Sequence, residues 1–370
     1  MKIERVELHH LSMPLVAPFE TSFGVETDRQ AIVLHIWSEG AEGWGECVAG
    51  GWPGYSYETA QTAWHVLTDY FVPAILGVEL DGIEDYRRLV RPYKGHPLAK
   101  AGLELALWDL RGQQESRPLK GLLGGERDRV SVGVSVGIQS NPDKLVDVVR
   151  AFLAQGYSRI KIKIKPGRDV ADTEAVRKAF PEIALQVDAN SAYTIEDTPV
   201  FEALDSLNLL LIEQPFAEDD LYDHSQLQAR LSTAICLDES VLSARHARQA
   251  IDMGACRIIN IKPARVGGLA EALAVHDLCW AQDIPVWCGG MLETGIGRAA
   301  NLALASLPGF TLPGDISATD RYYAEDIAEP KFILVDGMLQ VPDAPGLGVH
   351  VLPDRVSRFT LRSEVVESAA

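Results

Sequence analysis

Five charged residues recur along the middle of the chain at nearly constant spacing, and each comes directly after a short apolar run. They are Lys163, Asp188, Glu213, Asp238 and Lys262, and the steps between them are 25, 25, 25 and 24 residues. In a (β/α)₈ barrel the catalytic groups lie at the carboxyl ends of the strands. The spacing therefore predicts that these five side chains meet in one site.

The three acids of this series could bind a metal ion. Three carboxylates that converge from adjacent strands repel one another unless a cation lies between them. Ligation by oxygen alone favours a hard ion, so we expect Mg²⁺, with Mn²⁺ as the usual substitute. Each Asp could instead cap the following helix, but Glu213 is a poor cap. In the pair Asp238-Glu239 either acid could be the ligand, and we take Asp238 because it keeps the 25-residue step.

The two lysines could act as base and acid. In segment 159–165 (RIKIKIK) the isoleucines share one face of a strand and the lysines share the other. Lysines that point into a barrel need anions nearby, because a buried ammonium group is costly unless it is paired. The alternative is a solvated edge strand. A lysine near a divalent ion and a second lysine has a lowered pKa, so Lys163 and Lys262 could move a proton between the two faces of an enediolate.

The elements that would position these side chains alternate between strand and helix from residue 130 onward. This pattern predicts a (β/α)₈-type barrel. Segment 295–300 (GIGRAA) also matches G-x-G-x-x-A, so an open doubly wound sheet stays an alternative. The same segment could be a closely packed helix or a helix start that faces an anionic group. The predicted strands are residues 130–137, 159–164, 183–187, 209–212, 234–237, 257–261, 284–287 and 310–312.

The residues before the barrel have a different pattern. Three stretches alternate like the strands of a meander and two longer ones have the apolar period of helices, at residues 3–11, 31–37, 42–48, 57–76 and 97–115. The 370 residues are enough for two domains. We predict an α+β domain at residues 1–125, the barrel at 126–320 and a C-terminal segment at 321–370 that packs back on the first domain.

Composition excludes several classes of partner. A net charge of −18 repels polyanions, so we expect no nucleic acid. No apolar run approaches the ~20 residues of a membrane span, and the first residues lack the apolar region of a signal peptide, so we expect no membrane and a cytoplasmic location. The five cysteines form no C-x-x-C pair and are expected to be buried apolar residues.

At these residues the sequence resembles the enolase superfamily, in particular its muconate-lactonising-enzyme subgroup. That subgroup carries Lys-x-Lys on barrel strand two, metal-binding acids on strands three to five and a lysine on strand six. The resemblance is greatest to the N-succinylamino acid racemase / o-succinylbenzoate synthase family. It covers nearly the whole chain, with further matching stretches at 22–24 (SFG), 122–125 (LLGG), 133–137 (GVSVG), 287–295 (WCGGMLETG) and 345–348 (PGLG).

The resemblance implies a fold and a set of roles. The α+β domain and the C-terminal tail would together form a capping domain over the barrel. Lys163 and Lys262 would be the acid/base pair, and Asp188, Glu213 and Asp238 the metal ligands. Five further residues would bind the substrate: Lys161, Asn190, Ser135, Phe23 and Met291. Glu239 and Asn260 would support the residues of the site.

The implied activity is abstraction of a carboxylate α-proton, leading to racemisation of an N-acyl amino acid or dehydration of a succinylated cyclohexadiene carboxylate in menaquinone synthesis. A homo-oligomer is expected. Muconate-type cycloisomerase and dipeptide epimerase are alternatives within the superfamily. Epimerases carry Asp-x-Asp on strand eight, whereas segment 314–317 reads GDIS and lacks the second acid. Outside the superfamily the alternatives are a Schiff-base aldolase and a non-catalytic structural barrel.

Overall fold

The computed structural model describes residues 1–368, and it begins with three long antiparallel strands followed by helices. Helix α4 has the predicted bounds, while the predicted helix 57–76 is divided by a π-helical turn at Leu67–Phe71. The elements are β1 (Arg5–Glu20), β2 (Val25–Ser38), β3 (Ala41–Cys47), α1 (Ala60–Val66), α2 (Val72–Ile75), α3 (Ile83–Val90), α4 (Pro97–Glu115) and α5 (Leu119–Leu123).

Strands and helices alternate from residue 129 onward, as predicted. Short 3₁₀ turns occur at Ile195–Asp197 and Thr319–Arg321. The elements are β4 (Arg129–Ser131), β5 (Val134–Val136), α6 (Pro142–Ala154), β6 (Arg159–Lys163), α7 (Val170–Ala179), β7 (Ala184–Asp188), α8 (Thr198–Asp205), β8 (Ile212–Glu213), α9 (Leu221–Gln228), β9 (Ile235–Leu237), α10 (Ala244–Asp252), β10 (Ile258–Ile261), α11 (Pro263–Val266), α12 (Leu269–Trp280), β11 (Val286–Cys288) and α13 (Gly295–Ala305).

The tail returns to the start of the chain. Its last strand pairs antiparallel with β1 and completes a four-stranded sheet in the order β15-β1-β2-β3. A second strand of the tail, β13, pairs with β4 at the start of the barrel. The elements are β12 (Ala328–Glu329), β13 (Met338–Gln340), β14 (His350–Val351), α14 (Pro353–Phe359) and β15 (Thr360–Glu367).

Strands β5 to β11 form one parallel sheet in chain order, and residues 310–314 join its two edges. Single parallel bridges link Phe310 to Val286 of the last strand and Gly314 to Val132 near the first. The prediction of a regular eighth strand at 310–312 is wrong. Pro313 has no backbone N–H to donate to a ladder. The barrel itself is confirmed, and the open doubly wound sheet is excluded.

The predicted strand 130–137 is also wrong in extent, because it is two strands with different partners. Strand β4 pairs with the tail, whereas β5 pairs with β6 inside the barrel. Gly133 lies at the break between them. A side chain there would overlap the guanidinium group of Arg159, so only glycine leaves room for this buried cation.

Segment 295–300 is the start of α13 and is closely packed. The Glu46 carboxylate accepts hydrogen bonds from the backbone N–H groups of Thr294 and Gly297, at 3.0 and 2.8 Å. A Cβ atom on Gly297 would lie 2.8 Å from the same carboxylate. The free N–H groups of this helix start therefore bind an acid of β3, which leaves no place for a dinucleotide phosphate.

One continuous core of buried apolar side chains runs through both parts of the molecule, from Leu8 of β1 to Ile162 of β6. All five cysteines are free and buried, as predicted. In the chain from residue 1 to 368, no helix combines the length and the hydrophobicity that crossing a membrane requires.

Candidate active site

Strand β6 carries the Lys-x-Lys pair, with Ile160 and Ile162 fully buried on its other face. The Lys161 amine lies 3.0 Å from Asp188, 2.8 Å from Glu213 and 2.6 Å from Asp315. Burial alone would lower the pKa of Lys161, but these three carboxylates raise it well above its ordinary value. Lys161 is therefore a charged amine that balances the negative charge of three acids, one at the end of β7, one at the end of β8 and one in the segment that closes the barrel.

Lys163, two residues further on, has a different set of partners. Its amine donates to the Asp188 carboxylate and to the side-chain carbonyl of Asn190, both at 2.7 Å. The Asn190 amide in turn donates to Glu239 at 3.0 Å. Four of the predicted site residues are thus joined in one hydrogen-bonded chain at the carboxyl end of β6 and β7.

Lys262 follows β10 directly and faces the acids from the other side. Its amine lies 2.6 Å from Asp238 and 3.1 Å from the hydroxyl of Tyr55. Arg265, one turn later in α11, also pairs with Asp238. Burial alone would lower the pKa of Lys262, but Asp238 raises it. The lowered pKa that the sequence argument expected applies to a lysine beside a divalent ion, and it stays a prediction.

The three predicted metal ligands end neighbouring parallel strands, and each is fully buried. Burial raises the pKa of Glu213 to about 8, and the Asp188 and Asp238 charges add to this effect. Asn260 donates a hydrogen bond to Glu213 at 2.8 Å. A carboxylate held between two others in this way is stabilised in its charged form by any added cation.

These acids fit a divalent metal ion in their chemistry. All the donors are oxygen atoms, which suits a hard cation, and the Oε2 atom of Glu239 is buried without a hydrogen-bond partner in the described structure. Within residues 1–368, no group of three or more His, Cys, Asp or Glu side chains is placed to hold a metal ion in the arrangement that the structure shows.

A cavity of about 70 Å³ lies between the barrel and two parts of the N-terminal unit, which are the β1–β2 hairpin at residues 19–29 and the loop at Tyr55. The three acids, Asn260 and Glu239 do not line this cavity. Seven of the predicted site residues do: Phe23, Ser135, Lys161, Lys163, Asn190, Lys262 and Met291. A larger groove of about 800 Å³ between α3, α4 and α10 contains none of them. The smaller cavity is the candidate site because the convergent ionisable groups lie there.

Two models of known protein families match most of the chain. Residues 144–355 match the family model "Enolase C-terminal domain-like", and residues 4–124 match "Mandelate racemase / muconate lactonizing enzyme, N-terminal domain". The chain belongs to the enolase superfamily. Members of this superfamily generally use a divalent metal ion.

Three relatives within the superfamily match almost the whole chain. An N-succinylamino acid racemase from Amycolatopsis sp. is 52% identical, covering 97% of this chain and 98% of its own. An o-succinylbenzoate synthase from Geobacillus stearothermophilus is 47% identical, covering 100% and 99%. The crystal structure of an enolase superfamily member from Listeria innocua superposes with a TM-score of 0.95 at 41% identity, covering 99% of both chains.

Sequence reasoning missed three residues of the site: Tyr55, Arg265 and the role of Asp315. Tyr55 lies far from the barrel in sequence and carries no local pattern. Arg265 lies one helical turn after Lys262 and could have been noticed as a second cation near Asp238. Asp315 was recognised only as a departure from Asp-x-Asp, whereas in the structure it pairs with the buried Arg159 at 2.6 Å.

Proposed function

We propose that the protein removes the α-proton of a carboxylate substrate with the help of bound Mg²⁺, as an N-succinylamino acid (N-acylamino acid) racemase, an o-succinylbenzoate synthase, or both. The full-length similarity to relatives with these two names supports the substrate class. The observation that carries the chemistry is that Lys163 ends barrel strand two, Lys262 directly follows barrel strand six, and the two contact different acids, Asp188 and Asp238. The acids thus separate two amines that could serve opposite faces of one substrate.

In racemisation, one lysine removes the proton and the other returns it. The Cα–H bond breaks, the proton goes to the Nζ atom of the first lysine, and the electron pair moves into the carboxylate to give an enediolate. The ammonium group of the second lysine then donates a proton to the opposite face. Dehydration needs only one lysine, which acts first as the base and then as the acid that protonates the leaving hydroxyl group.

Asp188, Glu213 and Asp238 would hold the metal ion, and Mn²⁺ could replace Mg²⁺. When bound, the ion supplies positive charge that stabilises the extra negative charge on the substrate carboxylate. We assign orientation of the substrate to Lys161 and Asn190 and contacts with the rest of the substrate to Phe23, Ser135 and Met291, since these five line the cavity. We also propose a homo-oligomer in the cytoplasm.

Dipeptide epimerisation is disfavoured by the partners of Asp315. Arg159 and Lys161 bind its two carboxylate oxygens, at 2.6 Å each. Burial alone would raise the pKa of Asp315, but these cations lower it. The carboxylate is therefore ionised, and its charge is already balanced by the two cations. A peptide amine would have to displace one of the two cations. Ser317 stands where the second acid of Asp-x-Asp would be. This segment therefore has no second carboxylate that could bind a peptide amine.

The test is a substrate panel of N-succinyl and N-acetyl amino acids and the succinylated cyclohexadiene carboxylate, each with Mg²⁺ or with EDTA. In D₂O, we expect both amino acid enantiomers to exchange their α-proton only with the metal. Lys163→Ala should abolish exchange of one enantiomer and Lys262→Ala that of the other, and either change should abolish racemisation. Lys165→Ala is the matched control, because the Lys165 amine pairs with Glu20 outside the site.

Three outcomes would contradict the proposal. Exchange of both enantiomers in both lysine variants would rule out the two-base mechanism. Activity that survives EDTA, with a borohydride-trapped adduct, would indicate a Schiff-base aldolase. Calorimetric binding of Mg²⁺ without proton exchange on any substrate of the panel would indicate a structural barrel.

A further inference from the structure

Tyr55 lies in the loop that follows β3, and its side chain contacts residues at the carboxyl end of the barrel strands. Its hydroxyl group lies 2.9 Å from Asp238 and 3.1 Å from the amine of Lys262, which are 183 and 207 residues away in sequence. The amine of Lys262 also lies 4.3 Å from the centre of the tyrosine ring. Tyr55 therefore touches one lysine of the pair both through its hydroxyl group and through its ring face.

The direction of the two hydrogen bonds follows from the partners. An ammonium group can only donate, so the Tyr55 oxygen accepts from Lys262. Its own proton is then free for the Asp238 carboxylate, which accepts it. Because the Tyr55 hydroxyl group is hydrogen-bonded to Asp238 as well as to Lys262, it defines one position for the Nζ atom of Lys262 relative to the cavity.

Lys163 has no such neighbour in the described structure. Its amine is hydrogen-bonded to Asp188 and Asn190, and both belong to the barrel. The two lysines therefore differ in their direct partners. Both hydrogen-bond partners of the Lys163 amine belong to the barrel, whereas the Lys262 amine also donates to a residue of the N-terminal unit.

We propose that Tyr55 is a positioning residue for Lys262 alone, so that it controls proton transfer on one face of the substrate. This inference rests on the proposed two-base function and extends it to the control of each face. Loss of the hydroxyl group removes one hydrogen bond to a charged amine while the ring remains. Proton exchange at the Lys262 face should then fall about tenfold, and exchange at the Lys163 face should change less than about twofold.

The experiment measures α-proton exchange of each enantiomer of an N-succinylamino acid in D₂O with the Mg²⁺-loaded enzyme. Lys262→Ala and, independently, Lys163→Ala identify which enantiomer each lysine serves. Tyr55→Phe is expected to lower kcat for exchange of the Lys262 enantiomer about tenfold with a smaller change in KM. Tyr57→Phe is the matched control, since Tyr57 is 77% exposed and its hydroxyl group bonds Glu218 at the surface.

The possible results separate the two hypotheses. Equal loss for both enantiomers, or no loss for either, would overturn the role of Tyr55 and leave the proposed function intact. A rise in KM for both enantiomers with kcat unchanged would overturn it too, because it would show that Tyr55 binds substrate instead of positioning Lys262. Absence of exchange in the wild-type enzyme would overturn the proposed function and this inference together.

Discussion

Lys161 balances more buried negative charge than either of the two proposed catalytic lysines. Its amine contacts carboxylates at the ends of β7 and β8 and in the segment that closes the barrel. The side chain is 3% exposed, so water contributes little to its solvation or to that of its partners. Removing one member of such a group leaves charges that the rest of the protein does not compensate.

We predict that Lys161→Met lowers the free energy of unfolding by about 3–5 kcal/mol in EDTA, because Asp188, Glu213 and Asp315 lose a shared cation. Urea denaturation measures the change. Saturating Mg²⁺ should restore part of the stability, since an ion among the acids supplies the missing charge.

Lys165→Met is the control for this prediction. The Lys165 amine pairs with Glu20 at 3.0 Å, but both side chains are more than one third exposed. A pair of this kind contributes about 0–1 kcal/mol. Equal destabilisation by the two substitutions would show that burial among the acids has no special effect.

Helix α4 packs against β3 with almost no side chain between their backbones. A Cβ atom on Gly45 would lie 2.7 Å from the backbone nitrogen of Ala106 and would overlap the carbonyl group of Gly102. A Cβ atom on Gly102 would lie 2.6 Å from the Cβ atom of Cys47. The close approach of the helix and the sheet thus depends on glycine in both elements.

We predict that Gly45→Ala lowers the free energy of unfolding by about 1–3 kcal/mol, because backbone atoms, unlike flexible side chains, cannot move away from the added methyl group. Gly82→Ala, just before α3, is the control. A Cβ atom there meets nothing within 4 Å and the backbone is extended, so the change should be small. Thermal or urea unfolding of both variants tests the difference, and equal stability would refute the packing argument.

The elements that the sequence predicted well are those defined by local pattern. The apolar period of α4 predicted both of its ends. The charges that end β6 and β7 and the one that follows β10 predicted the spacing of the barrel strands. The division of the predicted strand 130–137 could not be foreseen, because β4 pairs with a strand of the tail about 200 residues away. Tyr55 was missed for the same reason, since its partners are visible only once the chain is folded.

On the scale of the whole molecule, several acids are buried at junctions between distant segments. Glu46 caps α13, Glu58 accepts hydrogen bonds from the start of α4, and Glu104 accepts one from the backbone of Ala270 in α12. Burial raises the pKa of each to about 7. Folding therefore makes these three acids harder to ionise than they are in the unfolded chain.

Raised carboxyl pKa values give a defined pH dependence of stability. At about pH 4.5 and below, the acid is neutral in both the folded and the unfolded chain, and its full contribution to stability is present. Between about pH 4.5 and 7 the unfolded chain loses the proton first, so stability falls as the pH rises through this range. The contribution of these three acids therefore predicts a fold that is less stable at pH 8 than at pH 5.

Glu104→Gln tests this argument at one junction. The same oxygen of Glu104 accepts hydrogen bonds from Ala270 and from the indole of Trp108, and an amide carbonyl can accept both. Because glutamine cannot ionise, we expect the variant to gain about 2–3 kcal/mol relative to wild type between pH 5 and pH 8. Urea unfolding at the two pH values measures the gain. Glu115→Gln, at the exposed end of the same helix, is the control and should still show the fall in stability between pH 5 and pH 8. If the difference in stability between Glu104→Gln and wild type is the same at both pH values, Glu104 has an ordinary pKa and the argument is wrong.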